Sequence, residues 1–298
     1  MFKHLSELSG LCLQRNRPKR LVLTISQDLF SLGAISKANQ MGIITPILVG
    51  DEALTKQIIK ENNIQFTEAT FINVLNTEEC VKTAVSIINR GEGDILMKGK
   101  IATATLIKGV LNRDWGLRAG KLLSHFALFE VPAYHKLFAI TDVALNIAPN
   151  LKDKIAIINN SVSYLNGLGV LMPKVAVLGA IESVNENMQA TLDAALLSKM
   201  NQRDQIVNCI IDGPLAFDNA VSTQSADLKG INSPVAGDTD ILLMPDIEVG
   251  NVLYKSLVFF AKAKVASVIL GAKAPIVLTS RSDSEESKFD SIMLAALA

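Results

Sequence analysis

The residues best placed to do chemistry are Ser280 and Arg281. They follow the apolar run PIVLT and precede the acidic stretch SDSEES. A hydroxyl, a guanidinium and the free N–H groups of a helix N-terminus together can hold an anion and stabilise developing negative charge. An arginine at a helix N-terminus opposes the macrodipole and so requires an anion nearby. Ser282 with Glu285 has the spacing of a capping box, and Phe289, Ile292, Met293 and Ala296 repeat at helical spacing. The last helix is therefore expected to start near Ser282, with Ser280 and Arg281 in the elbow before it. Asp283 and Glu286 would share one face of its first turn and are the candidate proton acceptors, Glu285 being committed to the box. Carboxylates in a first helical turn beside a guanidinium are nevertheless poor proton acceptors.

Three further strand ends carry candidate groups, because open α/β sheets bind ligands at the carboxyl ends of their strands. In MKGKIATAT (97–105), Lys98 and Lys100 flank a glycine and Thr103 opens a helix, an arrangement for a phosphate or simply a solvated edge. In DGPLAFDNAVS (212–222), Asp212 precedes a Gly-Pro turn that it could cap, or it could meet a ligand. In PDIEVGNVLYKSL (245–257), Asn251 and Lys255 lie four apart on one helical face. His125, in LLSHFALFEV, is a hydrogen-bonded core histidine or a site group, and Ser124 beside it is a candidate for substrate binding.

Those groups must be positioned by alternating strands and helices. Short Val- and Ile-rich runs at 20–25, 43–49, 94–99, 174–180, 206–213, 240–245, 265–271 and 275–280 alternate with helical periodicity at 28–41, 51–62, 77–90, 103–113, 151–167, 187–200 and 248–263. This is the pattern of α/β domains built on mainly parallel sheets. The runs 122–132 and 135–141 are joined by a link too short for a crossover helix, so they form an antiparallel pair or a passage between domains. With 298 residues, 49% of them hydrophobic, two cores are expected.

Composition and motif absences narrow the chemistry. The 29 basic and 29 acidic residues balance, leaving no field for nucleic acid or an anionic membrane. The N-terminal MFKHLSELSG lacks a signal-peptide core and no run reaches a membrane span, so a cytoplasmic protein is expected. Cys12, Cys80 and Cys209 are scattered and expected to be buried thiols. There is no HExxH or GxxxxGK[ST], and GLGVLMP lacks the third glycine of a dinucleotide fingerprint and precedes a strand. Asp238 and Asp240 are a thin basis for a metal-dependent dehydrogenase.

The segments MKGKIATATLIKGVL, GLRAGKLLSHFALFEVPAYHKLFAITDVALNIAPNLKDK, PKVAVLGAIESVNENMQATLDA, DGPLAFDNAVS, SPVAGDTDILLMPDIEVGNVLYKSL and GAKAPIVLTSRSDSEESKFDSI resemble, in order and spacing, the phosphate acetyl/butyryltransferase family. MKGKI…LSH, NIAP and the compact length are most similar to its butyryl branch. The resemblance implies the reaction acyl-CoA plus phosphate giving acyl phosphate plus CoA, with butyryl-CoA as donor, or acetyl-CoA as the alternative. It implies CoA thioester as substrate, no metal and no bound cofactor, and a homodimer or larger homo-oligomer. It further implies two α/β/α domains, as in isocitrate and isopropylmalate dehydrogenases, with an interdomain active-site cleft: residues 1–131 plus 279–298, and 132–278. In such a protein Ser280 would hydrogen-bond the CoA thiol and Arg281 the phosphoryl oxygens. Lys108 falls where some acetyltransferases place an arginine that contacts CoA, and Ser287 where they place an aspartate base. A metal- and NAD-dependent dehydrogenase and a non-catalytic CoA-binding protein are the alternatives of other classes.

Overall fold

The computed structural model describes residues 2–15, 17–279 and 283–298. They divide into two compact units, one of Leu5–Lys121 and Val265–Ala298, the other of Leu122–Lys264 with the residues before Leu5. The exchanges thus fall at 121/122 and 264/265 rather than at the expected 131/132 and 278/279. Strand pairing explains the shift, because a hairpin partner carries its strand into its own unit.

Eleven strands run through the described residues: β1 (Lys19–Thr24), β2 (Ile44–Gly50), β3 (Thr70–Asn73), β4 (Ile95–Lys98), β5 (Ser124–Glu130), β6 (Phe138–Thr141), β7 (Lys174–Leu178), β8 (Ile210–Leu215), β9 (Ile241–Leu243), β10 (Lys264–Leu270) and β11 (Ile276–Val277). In the unit that contains the N-terminal strands the order is β3-β2-β1-β4-β11-β10, parallel throughout except for the antiparallel β10–β11 pair. In the other unit the order is β5-β6-β9-β7-β8, with β5–β6 antiparallel and the rest parallel. The short link between the two apolar runs at 122–141 is therefore a hairpin connection, with Ala127 opposite Ile140 and Phe129 opposite Phe138.

Burial follows from that pairing. Parallel strands covered on both faces carry continuous apolar runs, as in β1, where Leu21, Val22 and Leu23 are wholly buried. Each such side chain contributes about 1.5–3 kcal/mol relative to exposure. The last helix, Glu285–Ala296, packs on the helices Leu29–Gln40 and Glu7–Gln14 through the stripe expected for it, with Ile292 and Met293 buried. Its cap is one place the sequence misleads. Ser284, not Ser282, is the N-cap, and its Oγ accepts from the backbone N–H of Ser287 at 3.1 Å. Ser282 lies outside the described residues. Glu285 therefore opens the helix instead of closing a capping box, and Asp283 precedes the cap, so it shares no helical face with Glu286.

The helix Ile247–Phe259 ends short of the expected residue 263, because Lys262 takes a left-handed φ of 52° and the Ala263 N–H turns back to the Leu257 carbonyl. No helix among the described residues is long and apolar enough to cross a membrane.

One buried ion pair makes the packing of the second unit testable. Lys154, on the helix Leu151–Gly167, meets Asp193, on the helix Gln189–Gln202, at 2.6 Å, both side chains about one-twentieth exposed. Asp193→Ala strands the ammonium and should cost about 3–5 kcal/mol in urea unfolding, whereas Lys154→Met with Asp193→Leu should recover most of it. Equal losses in the single and double variants would show that the charge pairing is irrelevant.

Candidate active site

The carboxyl ends of β1, β2, β4 and β11 lie along one edge of their unit because these strands are parallel neighbours. The chain runs outward from β1 through β2 to β3, and the crossover after β3 returns to place β4 on the other side of β1, so β1/β4 is the switch point at which such sheets bind ligands. After β1 come Ser26, Gln27 and Asp28, the last at the N-terminus of the helix Leu29–Gln40. After β4 comes Gly99, whose N–H donates to the Thr24 carbonyl at 2.9 Å. A Cβ at Gly99 would run into the carbonyl oxygens of Thr24 and Ile25, so only glycine lets these two strand ends approach so closely.

Lys98 ends β4 almost fully buried, and its Nζ donates to the carbonyls of Gly99 and Ile101, both at 3.3 Å. It shapes the loop that leads into the helix Thr103–Val110. Lys100 is exposed and Thr103 half-buried, and no side chain caps that helix at Ala102. Lys108 lies at the other end of the same helix, exposed beside Glu78, Asn112 and Trp115 in a small cavity of about 130 Å³. It is thus over a turn away from the strand ends.

Ser280 and Arg281 lie outside the described residues, but the groups on either side of them are clear. Thr279 is buried at the end of the β11 segment, and Lys288 Nζ donates to its Oγ1 at 3.0 Å. Lys288 is only 3% exposed. Burial pushes its ammonium below the usual lysine range, against the pull of the Asp28 and Asp283 carboxylates. The sequence reading passed over Lys288; the available signal was a charged residue inside an apolar helical stripe, one turn before Ile292. Asp283 is half-buried and Glu286 exposed.

In the other unit Ser124 and His125 open β5. Ser124 Oγ accepts from Asn160 Nδ2 at 2.9 Å, and the His125 N–H donates to Asp142 at 2.9 Å. Asp142 is buried and also accepts from the N–H groups of Ala144 and Leu145 and from Asn146 Nδ2 at 2.6 Å. This aspartate, another group passed over, organises the turn after β6. The His125 ring is buried edge-on to Tyr254, its Nδ1 without a hydrogen-bond partner. Burial lowers its pKa, opposed by Asp142.

Asn251 and Lys255 do share the helix Ile247–Phe259 with Tyr254. Asn251 donates to the Val143 carbonyl at 3.3 Å, while Lys255 is exposed. Asp212 departs from expectation: β8 continues through Gly213 and Pro214 to Leu215, so Asp212 is inside the strand, accepting from the Gly213 N–H, and caps no turn.

The same unit holds a largely apolar cavity of about 720 Å³ past the ends of β7 and β9, lined among others by Leu178, Met188, Phe217, Val252 and Leu253, the last two from the 245–257 motif. The pair Asp238 and Asp240 is taken up by lysines. Lys136 reaches both at 2.7 Å and Lys174 reaches Asp238 at 2.6 Å. Burial would raise the Asp238 pKa, yet Lys136, Lys174 and His135 together hold it far below the usual carboxylate range. The three thiols are buried, and burial raises Cys12 and Cys209 to about 11, leaving them unreactive.

Comparison with known proteins points one way. The family model described as phosphate acetyl/butaryl transferase matches residues 74–296. A phosphate butyryltransferase of Clostridium beijerinckii is 42% identical over 297 residues, covering 100% of this chain and 98% of the relative. A phosphate acetyltransferase of Thermotoga maritima is 46% identical over 285 residues, covering 96% and 97%. The crystal structure of a branched-chain phosphotransacylase from Enterococcus faecalis superposes with a TM-score of 0.82 at 34% identity, covering 94% of this chain and 98% of that one.

The His125 environment predicts a pH dependence of stability. Its pKa is depressed in the folded state, so on acidification the unfolded chain takes up this proton first. The contribution is complete above the unfolded value of about 6.5 and is lost as pH falls below it, by at most about 1.4 kcal/mol per pH unit. Urea unfolding between pH 7.5 and 5 should show that slope in the wild type and a flatter one in His125→Phe. Identical slopes would mean that His125 is not held neutral.

Proposed function

We propose that this chain, which belongs to the phosphate acetyl/butyryltransferase family and is a phosphate acyltransferase, uses butyryl-CoA as its preferred acyl donor. The observation that carries the choice of donor is the end-to-end likeness to a butyryltransferase, joined by the superposition on an enzyme named for branched-chain acyl groups. The acetyltransferase relative supports acetyl-CoA as a second reading.

A thioester is already activated, so the protein's work is to hold two anions in line and stabilise charge. A phosphate oxygen attacks the thioester carbonyl, the C–S bond breaks, and the proton shed by phosphate ends on the CoA sulfur. Arg281 holds the phosphoryl oxygens through charge-assisted hydrogen bonds, and Ser280 donates to the sulfur as it gains charge. Lys100 and Thr103, beside the switch point, and Lys108 contribute positive or hydrogen-bonding groups toward phosphate and CoA, as do Asn251 and Lys255 on their helix. Ser124, which accepts from Asn160, His125, whose backbone N–H donates to Asp142, and Asp212 are retained as groups that shape binding. Asp283 and Glu286 act as weak proton acceptors at most. The family likeness also supports a cytoplasmic homo-oligomer that works without a bound cofactor.

Three measurements test this. Butyryl-CoA should exceed acetyl-CoA by about tenfold or more in kcat/KM, since each buried methylene is worth about 0.8 kcal/mol; parity, or a preference for acetyl-CoA, would select the second reading. Arg281→Gln should raise the phosphate KM and lower turnover with the fold intact, and near-normal kinetics would remove Arg281 from the site. Ser280→Ala should lower kcat more than Asp283→Asn or Glu286→Gln does. If either carboxamide variant loses more than about a hundredfold together with the acidic limb of its pH profile, that carboxylate is the general base.

A further inference from the structure

A helix that is apolar around most of its circumference is expected to be buried around most of it. The helix Ile247–Phe259 departs from this: valines, leucines and aromatic residues fall on nearly every side, yet Gly250 alone among its residues is buried. Gly250 seats the helix, because a Cβ there would run into the Asp142 carbonyl oxygen. On the outer side Val249, Val252 and Phe259 are 45%, 66% and 59% exposed, and Phe260, just past the last turn, is 88% exposed. The apolar cavity of about 720 Å³ is walled on one side by Val249, Val252, Leu253 and Ser256 of this helix. Groove and stripe therefore form one continuous face, which Phe217, 41% exposed, extends across the groove. Monomeric proteins rarely expose contiguous apolar patches larger than a few hundred Å².

We propose that this face docks a second copy of the chain, whose own helix Ile247–Phe259 lies antiparallel to the first across a two-fold axis. Spacing carries the choice of occupant. Val249, Val252, Ser256 and Phe259 are separated by three, four and three residues, a series that reads the same in reverse. Two antiparallel copies thus set Val249 opposite Phe259 and Val252 opposite Ser256 twice over, as a self-complementary interface requires. Charge favours the same direction. Asp246 and Glu248 mark the start of the helix and exposed Lys262 follows its end, so each acidic end meets the basic end of its copy, whereas parallel copies would bring like charges together. Lys255 borders the stripe on the flank away from the groove, where its stem carries the ammonium to solvent. The area is sufficient as well. An interface of about 800 Å² per partner, roughly 60% of it apolar, needs on the order of 500 Å² of apolar surface from each copy. At about 150–250 Å² per aromatic side chain, Phe217, Phe259 and Phe260 expose on the order of 400 Å² between them, and the valines and groove walls supply the rest. The inference is independent of the acyl donor and of the groups assigned to phosphate.

Analytical sedimentation of the full chain over about a hundredfold range of concentration should show a dimer, or an even-numbered assembly of dimers, with a dimer Kd at or below about 1 μM. Val252→Glu and Phe260→Ser should each raise that Kd by about tenfold or more, with the circular dichroism spectrum unchanged. Charge exchange gives a second test that leaves the apolar face intact. Glu248 and Lys262 of one chain lie at opposite ends of the helix, which at about 1.5 Å per residue spans on the order of 20 Å, so they can pair only between antiparallel copies. Glu248→Lys should weaken the dimer about threefold or more, and adding Lys262→Glu to it should restore the wild-type Kd. A monomer at every concentration overturns the proposal. So does an oligomer indifferent to both Val252→Glu and Phe260→Ser, which would put the second copy on another face and leave the groove to a different occupant. A double charge variant as weak as Glu248→Lys alone overturns the antiparallel arrangement.

Discussion

Parallel pairing of β1, β2, β4 and β11 is the constraint on which the candidate site depends. A parallel strand must deliver its carboxyl end to the same edge as its neighbour, and the segment that follows must turn there into a helix or loop. Residues as distant in sequence as Asp28, Lys98 and Thr279 meet on one edge for that reason alone. Gly99 tightens the arrangement, since its missing side chain lets the loop after β4 lie directly on the carbonyls that end β1. Any larger residue would push the β4 loop, and the helix it opens, away from the strand ends.

Periodicity made most of this frame legible. The eight helices read from the sequence, the last included, are present with ends shifted by a few residues, and of the two readings that the short link allowed, an antiparallel pair or a passage between domains, β5–β6 is the antiparallel pair. What escaped has physical causes. The strand β3 is a four-residue edge with exposed ends, too short to show alternation. The helix Glu7–Gln14 buries only Leu8 and Cys12, so its apolar face is too sparse to declare itself. Two serines within the same stretch offered the same cap chemistry, and only the backbone decides that Ser284 performs it. Asp212 looked like a turn residue because Gly-Pro usually interrupts a strand, whereas β8 passes through it beside an irregular stretch of the β7 pairing.

The candidate site was legible in kind more than in detail. A hydroxyl and a guanidinium at a strand end could be singled out from residue types, but the partners of Lys98, His125 and Asp142 are set by tertiary contacts that no local pattern encodes. Charge in the Leu122–Lys264 unit is largely absorbed by pairing, as at Lys154–Asp193 and around Asp238, and so reflects packing more than reactivity. At the β1/β4/β11 edge the buried Lys98 donates to the Gly99 and Ile101 carbonyls and Lys288 to the Thr279 hydroxyl, with the Asp28 and Asp283 carboxylates also acting on Lys288.

The family resemblance implies an acetyltransferase base at one position in the first turn of the last helix. Ser287 stands there, and its N–H is engaged by the cap residue Ser284. A carboxylate at this point would add negative charge within the first turn, next to Lys288 and close in sequence to Arg281. On the proposed reading, a hydroxyl in its place adds no negative charge there, which would favour the phosphate dianion and the departing thiolate without general-base assistance. A thioester tolerates that exchange because its carbon is already electrophilic and a thiolate leaves readily. The limiting requirement is then holding phosphate against the carbonyl, which fixed cations and a rigid strand end can meet without a proton acceptor.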